Sequence, residues 1–312
     1  MSFPTTLVLV LLASYGLTNL LLSGVVATGW RAGGFARLKR ADALLALRLL
    51  PAAGAALAVL TVVLPAFLLY EPAHADDHPG PLLVLAAGLT LLVCLDGIRR
   101  VGQAARAARA LVRSAELLRT EAFEDGPEVN LVNLAEPVVA VVGGWRQRIM
   151  AAHCVAAACD GEEFRQVVAH EAAHIDARDN LKRLALLAVP DVLAWLPAGR
   201  GLNAQWQAAT EIEADERASG ADPRKRVALA SALIKVARLA IAGPRSARTV
   251  RASGSGGGLE QRIKRLLAPS SGRARAFPGR RVATSALLAP LLAVPLYGFV
   301  HRVIEFLVAF GR

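Results

Sequence analysis

His170-Glu171-Ala172-Ala173-His174 is the stretch on which the reading of this chain turns. Two histidines four apart lie on the same face of a helix and can share one metal ion, with Glu171 beside it. Zinc held by two imidazoles and a carboxylate keeps a position open for water, lowers the pKa of that water towards neutrality, and needs a nearby base to take its proton. His170 and His174 are therefore candidate ligands for one zinc ion per chain, and Glu171 is the candidate base. HExxH also arises by chance in helices rich in Ala, Glu and His, so the pattern needs a third ligand elsewhere in the chain.

Thr210-Glu211-Ile212-Glu213-Ala214-Asp215-Glu216-Arg217-Ala218 offers that ligand. Glu211 and Asp215 are four apart and share a helical face, whereas Glu213 points away with Arg217 as its i+4 partner. Glu211 is the expected third ligand. Asp215 is expected to accept a hydrogen bond from the free ring N–H of a ligand histidine and so fix its tautomer.

HEAAHIDARDNL followed by this ExxxD helix resembles the gluzincin-type membrane metallopeptidases, both the BlaR/MecR antibiotic-sensor family and the HtpX and CAAX-prenyl-protease family. The resemblance runs from Val129 to Leu259-Glu260-Gln261-Arg262-Ile263-Lys264-Arg265-Leu266, which is similar to the helix that closes such domains. It implies zinc at His170, His174 and Glu211, with Glu171 as base, in an endopeptidase acting on proteins or peptides. Asp179 matches an Asp that those families carry. Helical geometry rotates it well away from the histidine face, so no chemistry is assigned to it. The sensor receptors carry a large extracellular module after their fourth span and this chain ends at Arg312, which argues against direct β-lactam sensing.

Composition agrees with a membrane enzyme. Of 312 residues, 54% are hydrophobic and only 5% aromatic, more apolar than soluble domains. Apolar runs at residues 7–28, 49–70, 81–98 and 282–300 are each long enough to span a bilayer, the last interrupted by Pro290 and Pro295. The first run lacks a basic leader and is too long for a cleaved signal, so it is expected to be a permanent anchor. Basic residues follow it (Arg31, Arg37, Lys39, Arg40), while Glu71, Asp76 and Asp77 follow the second run. Arg99, Arg100, Arg106, Arg109 and Arg113 follow the third, and Arg273, Arg275, Arg280 and Arg281 precede the fourth. The charge rule puts these basic flanks, and HEAAH with them, on the cytoplasmic side, with both termini outside.

The expected fold is thus a mainly α membrane protein of four transmembrane helices plus a cytoplasmic α+β gluzincin domain, in a bacterial-type inner membrane. Residues 1–98 hold three spans, 99–281 the metallopeptidase domain and 282–312 the fourth span. The net charge of +11 sits mostly beside the spans, where lipid headgroups explain it, and no nucleic-acid partner is expected. Cys94, Cys154 and Cys159 are expected to be free thiols, since His153-Cys154 with Cys159-Asp160 matches no zinc module.

Residues 101–123 read as a helix extending the third span. Val138, Val139, Ala140, Val141 and Val142 form a strand candidate, paired with residues 145–150 through Gly143-Gly144, and no other strand region is evident. This strand either lines the cleft and pairs with extended substrate or is a core hairpin. Asp160 with Glu163 forms a capping box for a helix running to Pro190. Trp195-Leu196-Pro197 and Trp206 are expected to pack on the spans or bilayer surface. Residues 253–258 read as a flexible Ser/Gly loop, a hinge or a cleavage site. An oxyanion donor is sought among His153, Arg178 and Arg217, since every tyrosine lies in a span. Leu95-Asp96-Gly97 resembles the LDG of site-two intramembrane proteases. HEAAH has too many charged neighbours for the hydrocarbon core, so Asp96 is placed at the cytoplasmic end of its span. Two other functions fit the sequence: quality control of membrane proteins, or a zinc-dependent scaffold without catalysis.

Overall fold

Three of the apolar runs fold as helices long and apolar enough to cross a membrane. They are α1 (Phe3–Arg31), α2 (Ala41–Ala58), which passes through a π-helical turn (Val59–Val63) into α3 (Leu64–Tyr70), and α4 (Pro81–Ser114). The computed structural model describes residues 3–70, 79–123, 127–134, 136–144, 147–242 and 256–268. The expected fourth span, the acidic loop at Glu71, Asp76 and Asp77, and Ser253, Gly254 and Ser255 lie outside these.

Val10, Ala13, Val59, Val63, Phe67, Leu83 and Ala87 close the contact among the three long helices. Leu21, Leu60, Leu69 and Leu92 face outwards. An outer surface this apolar suits lipid rather than water. The second helix starts at Ala41, earlier than its apolar run, because Arg48 is buried against Asp191 and its charge is met inside the protein.

Two corrections concern the segment after the third span. A single helix, α4, runs across residue 98 and stops at Ser114, short of the expected end near residue 123. Residues expected to continue it form β1 (Glu116–Glu121), antiparallel to β2 (Val129–Asn133), a strand not foreseen. Cross-strand partners outweigh local helix propensity here: Thr120 pairs with the Asn130 side chain at 2.9 Å and Asn133 with Glu116 at 3.2 Å. The expected hairpin is present as β3 (Val139–Val142) antiparallel to β4 (Arg148–Ala152). Its connection spans residues 143–147 and turns at Gly143, whose φ of 104° suits glycine alone. β2 and β4 are parallel, so the sheet is mixed, in the order β1-β2-β4-β3, with β3 at an edge.

Short α5 (His153–Ala158) leads into α6 (Gly161–Asp176), the HEAAH helix. Its N-terminus is the expected capping box: Asp160 accepts from the Glu162 and Glu163 amides, and Glu163 accepts from the Asp160 amide. Phe164 and Val168 pack α6 onto Val129, Leu131, Ile149 and Ala151 of the sheet. The helix ends at Asp176 instead of running to Pro190. Arg178 takes a left-handed conformation (φ 54°, ψ 37°), and α7 (Asp179–Ala188) begins in a new direction. No glycine or proline marks this break.

A 3-10 turn (Val192–Trp195) joins α7 to α8 (Pro197–Ser219), which is followed by α9 (Pro223–Ala242) and α10 (Gly256–Leu267). Gly256, Gly257 and Gly258, expected in the loop, form the first turn of α10. As expected, the tryptophan region packs on the spans: Leu193, Leu202 and the fully buried Trp206 join Val26 of α1 and Leu44 of α2 in one core. Half-exposed Trp195 donates to Asp96 at 3.1 Å, and Asp96 also pairs with Arg99 and Arg100. All three cysteines are free.

Candidate metal centre

α6 and α8 bring three candidate ligands together. His170 Nε2 and His174 Nε2 are 3.2 Å apart, and Glu211 reaches them at 3.5 Å (Oε2 to His170) and 3.7 Å (Oε1 to His174). One atom from each of the three residues lies within 4.8 Å of the others, a cluster that could hold a metal ion. Ligand atoms bound at tetrahedral angles about 2.0–2.1 Å from an ion sit roughly 3.4 Å apart, so the spacing fits a closed triad with little movement. The two rings meet edge to face, 88° between planes.

Each imidazole is backed by a carboxylate on its other nitrogen. His170 Nδ1 lies 3.0 Å from Asp215 Oδ1, the residue expected to back it, but off the line of the hydrogen bond that was expected there. His174 Nδ1 lies 2.7 Å from Asp179 Oδ2. This second contact corrects the assignment of no role to Asp179. The left-handed turn at Arg178 stops α6 and swings the first residue of α7 back over His174. A carboxylate on Nδ1 fixes the tautomer that leaves Nε2 free for a metal.

Arg262 of α10 was not foreseen as part of the site. Its Nε and Nη2 grip Asp215 at 2.8 and 2.7 Å, and its Nη1 lies 2.9 Å from Glu211 Oε2. Nη2 also comes within 3.5 Å of His170 Nε2. Two carboxylates sharing a buried helical face require a counter-cation, and that requirement was the available signal for it. Sequence distance hid the answer, since Arg262 and Asp215 are 47 positions apart. Half-exposed Arg183 of α7 stands 3.8 Å from Glu211 Oε1.

The electrostatics follow from this packing. Burial would lower the His170 pKa, but the close Asp215 and Glu211 carboxylates override it and lift the value to about 9. Burial works against ionised Glu211 too, yet the His170 contact and Arg262 bring it down to about 2. Asp215 is likewise held low by Arg262 and His170 against the effect of burial. Glu171 differs, for burial pushes its carboxyl up, only partly offset by the two histidines and Arg183. It makes no hydrogen bond among the described residues. A raised carboxyl is more readily protonated than a free one, which is the property general acid–base groups are tuned for.

The other candidates are elsewhere. Glu213 points away from the triad, as expected, accepting from Arg217 at 3.4 Å and capping the Ala41 amide of α2 at 2.9 Å. His153 and Arg178 are exposed and make no contact with the cluster among the described residues. β3 packs beside α6, and among the described residues no strand pairs with its outer edge. Ala152 N donates to Val138 O at 2.8 Å, so the Val138 carbonyl and the backbone groups of Ala140 and Val142 face β4, while Val138 N donates to Glu136 O at 2.9 Å. Val139 and Val141 turn theirs outwards.

Comparison of the chain with protein-family models, with curated proteins and with solved structures found no match.

Proposed function

We propose that this chain is a membrane-anchored zinc endopeptidase whose metal domain faces the cytoplasm. The observation that carries the reading is the convergence of two imidazole Nε2 atoms and the Glu211 carboxylate, each imidazole with a carboxylate close to its other nitrogen, and with a partly buried Glu171 in sequence beside His170. His170, His174 and Glu211 would hold the ion. When bound, zinc supplies a Lewis acid and makes water acidic enough to give up a proton near neutral pH. Glu171 takes that proton and passes it to the leaving amine nitrogen. Asp215 and Asp179 keep both imidazoles in the ligand tautomer, and Arg262 holds Asp215 and Glu211 in place. The outward N–H and C=O groups of β3 suit an extended peptide added as a further strand.

The sidedness rests on the basic residues that flank the spans; the resemblance to the antibiotic-sensor peptidases adds a role in signalling, by cleavage of a cytoplasmic repressor. Repressor cleavage would give one accumulating substrate in a Glu171→Gln strain, and quality control would give many.

The reading is tested with purified full-length protein in detergent. Glu171→Gln is expected to keep zinc and lose cleavage of an unfolded protein substrate by at least about a hundredfold, the low end of a general base's contribution. His170→Ala is expected to lose the metal as well. A wild-type protein without zinc, or a Glu171→Gln variant as active as wild type, would overturn the peptidase reading in favour of a scaffold.

A further inference from the structure

We propose that Asn180 ends the substrate-pairing edge of β3 and so sets the register in which an extended peptide lies beside the metal centre, an inference that rests on the peptidase reading. The outward edge of β3 offers four backbone groups, the N–H and C=O of Val139 and of Val141. Among the described residues three of them have no partner. The fourth is taken: Asn180 Nδ2 donates to Val141 O at 3.0 Å and to Gly143 O at 3.1 Å. Both acceptors are carbonyls, so the amide nitrogen must face the strand, and Oδ1 points elsewhere with no partner among the described residues. A peptide added to this edge can use both groups of Val139 and the N–H of Val141. Its next N–H, which a regular ladder would send to Val141 C=O, meets the Asn180 side chain instead.

The position of this stop relative to the chemistry is built in. Asn180 follows Asp179, whose carboxylate holds His174 at 2.7 Å. One short turn therefore orients a candidate metal ligand and closes the edge, so the end of the bound strand and the metal keep a constant offset. Strands slip in steps of two residues, because a slip of one would exchange their faces. Removing the stop should permit that two-residue slip.

The test uses full-length, zinc-loaded protein in detergent and a reduced, alkylated protein of known sequence as substrate, with product ends read by mass spectrometry. Asn180→Ala removes the amide, and Asn180→Asp keeps its shape but cannot donate at neutral pH. Both are expected to hold zinc as wild type does and to produce a second set of ends displaced by two residues. A third variant, Val139→Pro, deletes one outward N–H while leaving the β3–β4 ladder and Asn180 intact. It is expected to lower kcat/KM about threefold to tenfold, with wild-type cleavage positions. Unshifted ends in both Asn180 variants, with only a slower rate, mean that Asn180 merely braces the Gly143 turn, and the inference falls while the peptidase reading stands. An undiminished Val139→Pro enzyme also overturns it. Failure of zinc-loaded wild type to cut at all removes the peptidase reading and the inference together.

Discussion

Asp179 and Asp215 each lie against the Nδ1 of a different histidine, and their surroundings differ in a way that can be measured. Asp215 is gripped by Arg262, whereas Asp179 has only Lys182, 3.7 Å away, as a further cation. Replacing either by Ala leaves the three ligands in place but frees one imidazole to turn. Each variant is expected to bind zinc about 10–100-fold more weakly, measured by competition with a chelator. Glu211→Ala is expected to lose zinc altogether, and Glu213→Ala to retain it. Zinc lost from the Glu213 variant and kept by the Glu211 variant would reverse the assignment of faces on α8.

The start of α6 is the element on which the metal face depends, and Glu163 is its most connected residue. Its carboxylate accepts from the Asp160 amide at 2.8 Å, Ser231 at 2.6 Å and Lys235 at 2.5 Å, tying α6 to α9. Burial raises its pKa, but these donors win and hold it below its ordinary value of 4.5. A carboxyl depressed on folding stabilises the fold above its unfolded pKa, and that contribution is lost as pH falls through the folded value. Glu163→Gln should therefore lower the unfolding midpoint at pH 7 and flatten the loss of stability below about pH 4.5. An acid limb unchanged by the substitution would show that Glu163 has no part in it. Asp160→Ala is expected to cost about 1 kcal/mol by leaving two amides of the first turn without an acceptor.

At the scale of the molecule, the short connection between α7 and α8 is held by all three long helices. Tyr15 and Asn19 of α1 donate to Pro190 O at 2.7 and 3.4 Å, Arg48 of α2 pairs with Asp191, and Arg100 of α4 donates to Val189 O at 3.3 Å. Gly97 lets α4 approach α7 so closely that a Cβ there would lie 2.6 Å from Ala188 O. Arg48 and Asp191 are both almost fully buried, so losing one partner strands a charge. Asp191→Ala is expected to destabilise the protein by about 3–5 kcal/mol, with the double replacement Arg48→Leu and Asp191→Leu recovering much of it. A mild Asp191→Ala phenotype would mean that water reaches the pair. Sidedness is tested at the same scale: a reporter active only in the cytoplasm should be active after Arg100 and silent near Asp77.

The sequence by itself determined whatever depends on neighbours a few residues apart. Helical spacing put His170 with His174 and Glu211 with Asp215, the capping box set the start of α6, and apolar length marked the three long helices. Tertiary structure decided the rest. The helix break at Arg178 has no glycine or proline to announce it and forms where Asp179 and Asn180 find partners in His174 and β3. β1 and β2 exist because they pair with each other, and β1 alone reads as the end of a helix. Arg262 reaches its carboxylates only once α10 is laid against α8. In each case a local preference of a few tenths of a kcal/mol per residue yields to contacts made across the fold, and those contacts leave no periodic trace in the chain.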